Sequence, residues 1–266
     1  MNLHKQYEKH KEYIEFNKLD KLINFQENIN YKEKTFDSVS GKLNIPFPPQ
    51  SDDLVRLHKL IRSRKVFTIV EFGTGYSTII MADALVKNQE EWNSLSNKPE
   101  IRNNFMFKLF CIDASKQWIK KMKDTIPEHL RSIVDFHQSD VEIGKFNGQL
   151  CHFYKRLPDI VPDFVYLDGP SAKDVKGNIN GLSFNCEERT VMSGDLLLME
   201  STFIPGTFIL IDGRTNNARF LERNFSRNYK VKWNKKEDIT TFELSEERLG
   251  KYNLLGTDFF SENTIY

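Results

Sequence analysis

A chain of 266 residues, 39% of them hydrophobic, can bury a sizeable core as one large domain or as a domain with an arm. Its formal charge of +1 leaves no global field to gather nucleic acid, and no apolar run approaches the roughly 20 residues that a bilayer span needs. The charged N-terminus lacks an apolar signal region, and Cys111, Cys151 and Cys186 lie far apart without metal-type spacing. Reduced thiols in a cytoplasmic protein with a small-molecule substrate, and no nucleic-acid or membrane partner, are the expectation.

In chain order, residues 1–35 are rich in Lys, Glu and Asn with Tyr7, Ile14, Leu19, Leu22, Ile23 and Phe25 interspersed, a pattern that predicts amphipathic helix. Such an arm can pack on the domain, cover the active site, or pair with another subunit to make a homo-oligomer; packing is the favoured reading. A turn-rich passage with Gly41, Pro46, Pro48 and Pro49 separates this extension, residues 1–49, from the main domain, residues 50–266. Ser51 or Asp52 is expected to cap a helix bearing Leu54, Leu57, Leu60 and Ile61, which runs into a first strand over 66–72. Further strands are expected at 107–112, 132–137, 164–167 and 208–211. Helices are expected from Ser115, around Leu196, and around Ala218, Phe220, Leu221 and Phe225. Two last strands, 229–233 and 239–244, are joined by a charged turn short enough for a hairpin. Strands alternating with helices predict an α/β fold, a doubly wound, mostly parallel sheet with helices on both faces. The hairpin predicts an antiparallel strand at the sheet edge.

The stretch Ile69-Val70-Glu71-Phe72-Gly73-Thr74-Gly75-Tyr76-Ser77-Thr78 organises the rest. It reads as a buried strand, a glycine turn and a helix start, with Ser77 or Thr78 opening the helix. The glycines let a ligand approach the main chain, and a helix start offers unpaired N–H groups and a positive dipole end. The dinucleotide fingerprint calls for a third glycine where this chain has Thr78, so a pyrophosphate is the poorer fit.

The acid two residues before Gly73, in Glu71-x-Gly73-x-Gly75, resembles the first motif of class I S-adenosylmethionine-dependent methyltransferases. The succession of strands over about residues 50–245 resembles their seven-stranded, Rossmann-like fold. That resemblance implies that the Gly73, Thr74, Gly75, Tyr76 and Ser77 main chain holds the methionine end of S-adenosylmethionine, with Glu71 ordering the loop or reaching the amino group through water. It implies that Asp113, with Ala114 beside it, meets the ribose hydroxyls, and Asp140 the adenine amine. Asp113 lies farther from the glycines than the usual spacing of about 20 residues, and the segment after Lys87 must absorb the difference.

Asp168 and Asp212 end later strands and fall on the substrate side of this picture. A carboxylate there can take the proton of an acceptor hydroxyl, worth roughly 10²–10⁴-fold, or both can hold a divalent cation such as Mg2+. Catechol-type O-methyltransferases have metal acids at these two strand ends, with Asn after the second; here Gly213 follows, and Asn216 or Asn217 would have to substitute. Arg214 could bind an anionic substrate group or pair with a nearby Asp. His152 and Tyr154 could reach the pocket. Nitrogen methylation calls for an Asn/Asp-Pro-Pro-aromatic motif where this chain reads Asp168-Gly169-Pro170-Ser171. The expected function is therefore O-methylation of a sugar or other small hydroxylated metabolite. The alternatives are a non-catalytic module that keeps the fold, and a nucleotide- or NAD-dependent enzyme.

Overall fold

The computed structural model describes residues 3–25, 49–98, 100–185, 192–248, 250 and 255–256, with side chains from His10 onward. Helix α1 (Leu3–Asn17) and a 3-10 turn (Leu19–Lys21) precede α2 (Ser51–Ser63) among the described residues. The main sheet then builds up as β1 (Thr68–Phe72), α3 (Tyr76–Ser94), β2 (Lys108–Asp113), α4 (Lys116–Thr125) and β3 (Val134–Gln138). After β3 the chain makes β4 (Val141–Phe146) and β5 (Gln149–Tyr154), then returns to the main sheet as β6 (Phe164–Leu167). The short β7 (Val175–Lys176), α5 (Asp195–Met199), β8 (Phe208–Asp212), α6 (Thr215–Asn224), β9 (Tyr229–Asn234) and β10 (Ile239–Leu244) follow.

The seven-stranded sheet has the order β3-β2-β1-β6-β8-β10-β9. Every pairing is parallel except the two made by β10. The hairpin falls where the sequence places it, but the antiparallel strand does not lie at the edge. β10 slots between β8 and β9, leaving β9 outermost and parallel to β8. The charged turn lets β9 pass to the far side of its own partner, an arrangement that alternating polarity cannot reveal. The architecture is a seven-stranded, doubly wound, Rossmann-like sheet with one reversed strand, as the resemblance implies.

The strands read as near-continuous apolar runs because both faces are covered. Ile69, Leu109, Phe164 and Leu210 turn to one face and meet α2 and α3, together with Ile14, Leu19 and Ile23 of the N-terminal arm. Val70, Ile112, Leu167 and Ile209 turn to the other and meet α5, α6 and a second, three-stranded sheet of order β5-β4-β7. The arm is further tied by the Tyr13 hydroxyl to His58 Nδ1 (2.7 Å), His58 Nε2 to Asp83 (2.9 Å), and Lys87 Nζ to Asp83 (2.5 Å) and the Asn17 carbonyl (2.9 Å). Residues 26–48, which include the turn-rich passage with Gly41, Pro46 and Pro48, lie outside the described residues, as do Cys186 and the Tyr7 side chain.

One local expectation needs correction, and one element is new. Gln50, not Ser51 or Asp52, occupies the cap of α2, and no side chain caps it. The small sheet was not foreseen, although Asn147-Gly148 is a hairpin signal: both residues take positive φ (47° and 76°), as a two-residue turn of the primed type needs.

Candidate active site

The strand order reverses between β1 and β6, and in open α/β sheets ligands bind outside the carboxyl ends of strands at such a point. The glycine bend that leaves β1 and the Asp168-Gly169-Pro170 turn that leaves β6 meet there. Gly73 has φ +103°, a left-handed value that favours glycine, and its N–H donates to the Ile112 carbonyl at 2.8 Å. A Cβ built on Gly169 would lie 2.6 Å from Gly73 N and 2.8 Å from its Cα, so the two glycines allow main chain to pack on main chain. Gly75 differs. Its φ of 179° is ordinary extended backbone, and a Cβ there would meet nothing closer than Ser77 Oγ at 3.9 Å. No contact among the described residues requires it to be glycine.

Glu71 is buried on the α3 face of β1 and is 1% exposed. It accepts from Ser77 Oγ (2.5 Å), Thr78 Oγ1 (2.6 Å) and the Cys111 thiol (3.1 Å). Burial pushes its carboxyl up to about 7, and those three donors act against the rise. The acid therefore ties the first turn of α3 to the strand. The helix starts at Tyr76 rather than at Ser77 or Thr78, with Thr78 Oγ1 accepting the Gly75 N–H at 3.1 Å.

Asp113 closes β2 beside the same bend. Thr74 Oγ1 donates to its Oδ2 at 3.1 Å and the Ser115 N–H to its Oδ1 at 2.8 Å. Burial raises its carboxyl to about 6, partly offset by the Ser115 and Thr74 hydrogen bonds. The long interval from the glycines is taken up by the 19 residues of α3 and the loop after it, which Phe67, Trp92 and Phe107 pin below the sheet. Ala114 packs against the apolar layer and its carbonyl accepts from Gln138 Nε2. Asp140 stands apart: its carboxylate is exposed and paired with Lys176 at 3.0 Å, which holds it below the usual carboxylate range.

Asp212 ends β8 and accepts from the Tyr166 hydroxyl at 3.0 Å. Burial, reinforced by the charges of Asp53 and Asp168, raises it to about 7. Asp53 and Arg56, in the first turns of α2, are neighbours that the sequence reading missed. Arg56 bonds Asp53 and, at 2.8 Å, Glu237 of the β9–β10 turn, and the Asp212 charge helps to raise its pKa. No motif marks a helix that approaches the site from the far side of the sheet. Asp168 is half exposed, with its Oδ1 3.7 Å from Arg214 Nε.

Arg214 reaches the turn after β6. Its guanidinium donates to the carbonyls of Asp168 (2.5 Å) and Pro170 (3.1 Å), so it clamps the turn that carries Asp168. The metal expectation fails a fit test. Among the described residues no three His, Cys, Asp or Glu converge as a metal would need. Gly213 offers no side chain, and Asn217 is spent on Ser193, accepting its N–H at 2.9 Å and donating to its carbonyl at 3.2 Å. Asn216 is exposed. A pair of like charges that push each other toward protonation lacks the third ligand that would anchor a cation.

A scan against protein-family models finds no match, and a search of curated proteins finds none. Solved structures with a similar fold include the O-methyltransferase TomG from Streptomyces achromogenes, involved in tomaymycin synthesis and crystallised with SAM, at 16% identity over 74% of this chain and 82% of that one, with a TM-score of 0.41. An O-methyltransferase from Bacillus cereus in complex with SAH is 14% identical over 88% and 90%, TM-score 0.40. The SAH-bound methyltransferase PaMTH1 from Podospora anserina is 11% identical over 74% and 80%, TM-score 0.43. These are distant likenesses of fold, and no residue role here rests on them.

Proposed function

We propose that this chain is an S-adenosylmethionine-dependent methyltransferase acting on the oxygen of a small hydroxylated molecule, working in the cytoplasm, as the buried free thiols Cys111 and Cys151 favour. The observation that carries the reading is a glycine bend tied from two sides, by Glu71 beneath and by Asp113 beside it, at the point where the strand order reverses. Gly75 supports it as well, since its lack of a side chain serves no contact among the described residues.

In this reading the Gly73, Thr74, Gly75, Tyr76 and Ser77 main chain takes the methionine end of the cofactor, where the start of α3 favours its carboxylate. Asp113 has lone pairs beyond those that Thr74 and Ser115 use, and these receive the ribose hydroxyls. Asp140 could meet the adenine amine only by sharing its carboxylate with Lys176. The bound cofactor supplies a methyl group on a cationic sulfur. The chain must hold the acceptor oxygen in line and remove its proton. Asp212, raised to about 7 and held by Tyr166, is poised to take that proton near neutral pH. Asp168 lies close enough to influence Asp212, and Arg214 positions the turn that carries it. No step runs through a metal.

Calorimetric titration with S-adenosylhomocysteine and with NAD separates this proposal from a nucleotide enzyme. Transfer of labelled methyl groups from S-adenosylmethionine to sugars and other hydroxylated metabolites separates it from a binding module. Binding of S-adenosylhomocysteine followed by labelled product is expected; failure to bind it refutes the proposal.

A further inference from the structure

His152 and Tyr154 are alternate residues of β5, so their side chains leave the strand on the same face. Both are buried, and among the described residues neither ring nitrogen of His152 nor the Tyr154 hydroxyl has a hydrogen-bond partner. The Tyr154 ring lies 5.8 Å from Phe72, which leads into the glycine bend, and its hydroxyl feels the charges of Asp113, Asp195, Arg214 and Asp174. His152 meets Phe184 edge-on at 6.4 Å and feels Arg214. The main chain around them is satisfied: the Tyr154 N–H reaches Asp195 at 2.8 Å, and the His152 N–H reaches the Met192 carbonyl at 2.9 Å. Buried polar atoms in native interiors are nearly always partnered. Three such atoms on two alternate residues, beside the bend and Asp113, mark a place made for a ligand group.

We propose that His152 and Tyr154 receive a second hydroxyl group of the acceptor, other than the one whose proton Asp212 takes, which makes the β4–β5 hairpin an acceptor-recognising part of the molecule; this rests on the methyltransferase reading. Burial holds the imidazole neutral, pushed down to about 3, so the ring offers one N–H and one lone pair, and the tyrosine adds an O–H. A hydroxyl, which both donates and accepts, matches that set. A carboxylate or phosphate does not, because a neutral imidazole and a phenol bring no positive charge of their own to meet it. The surrounding Val141, Leu196 and Phe184 suit an apolar body, as in a phenol, or the apolar face of a sugar ring.

The test uses the full chain with 15N-labelled histidine, saturated with S-adenosylhomocysteine and titrated with phenol or with methyl glucoside. The His152 resonances are assigned by their loss in His152→Gln. At least one probe should shift them, and Tyr154→Phe should weaken that probe about tenfold while the S-adenosylhomocysteine affinity and Tm stay at wild-type values. The two probes distinguish an aromatic from a carbohydrate hydroxyl. The proposal is overturned if the cofactor product binds but neither probe moves His152, if Tyr154→Phe leaves probe affinity unchanged, or if Tyr154→Phe lowers Tm as loss of a structural partner would. Loss of cofactor-product binding by the wild-type chain instead refutes the methyltransferase reading beneath it.

Discussion

Replacing Gly169 by alanine tests the junction on which the site is built. The added Cβ would lie 2.6 Å from Gly73 N, 2.8 Å from Gly73 Cα and 2.8 Å from the Phe72 carbonyl carbon. All three are main-chain atoms, so no flexible side chain can turn away, and the two turns must part by several tenths of an ångström. Overpacking a close-fitting interior costs about 1–3 kcal/mol, and contact with backbone alone places this case near 3. For a chain of this size Tm should fall by roughly 6–12 °C. Gly75→Ala is the matched control: its Cβ meets nothing closer than 3.9 Å, so stability should stay within about 0.5 kcal/mol. Its S-adenosylhomocysteine affinity should nevertheless drop at least about tenfold, as the methyl group enters space reserved for ligand. Differential scanning calorimetry and titration calorimetry on both variants read the two effects separately. A Gly169→Ala protein as stable as wild type would refute the packing of the turns, and a Gly75→Ala protein that binds normally would remove the bend from the cofactor site.

Asp212→Asn should lower methyl transfer by roughly 10²–10⁴-fold while stabilising the fold at high pH. The native carboxyl is raised from 3.8 to about 7, so its contribution is fully present below pH ~3.8 and is lost as pH rises through ~7. The substitution abolishes that loss, and denaturant unfolding at pH 8 relative to pH 4 should favour the variant by on the order of 2–4 kcal/mol; equal pH dependence would refute the assignment. Asp113→Ala should cut S-adenosylhomocysteine affinity by about tenfold or more with the far-UV spectrum intact, and unchanged affinity would remove Asp113 from the cofactor site. Tyr13→Phe removes a 2.7 Å bond to the buried His58 and should cost about 1–3 kcal/mol with cofactor-product affinity retained; a wild-type Tm would show that the arm is not held this way.

The parts of the site that were legible in the sequence are those built from local chemistry. Glu71, Gly75 and Thr78 lie within eight residues of one another, and the bonds among them need only a strand, a bend and a helix start. Asp113 could be placed because a strand ends on it. Arg214 could not be resolved between an anion and a structural partner, because the carbonyls it clamps lie 44 and 46 residues earlier in the chain. Asp53 and Arg56 join the site only through the crossing of α2 over the sheet, which no spacing encodes. The β4–β5 hairpin did carry a signal in Asn147-Gly148. Its alternating flanks are half-buried in a second sheet, so they lack the continuous apolar run that marks the central strands. Position of the reversed strand escaped for the same reason: a hairpin reads identically whichever of its arms docks first.

That hairpin leaves the chain right after β3 and hands it back before β6, without entering the order of the main sheet. An excursion of this kind can lengthen, shorten or exchange its side chains while no strand of the larger sheet changes register. Variation in what the molecule accepts can then accumulate in one detachable loop of ancestry, while the glycine bend and its supporting acids descend unaltered.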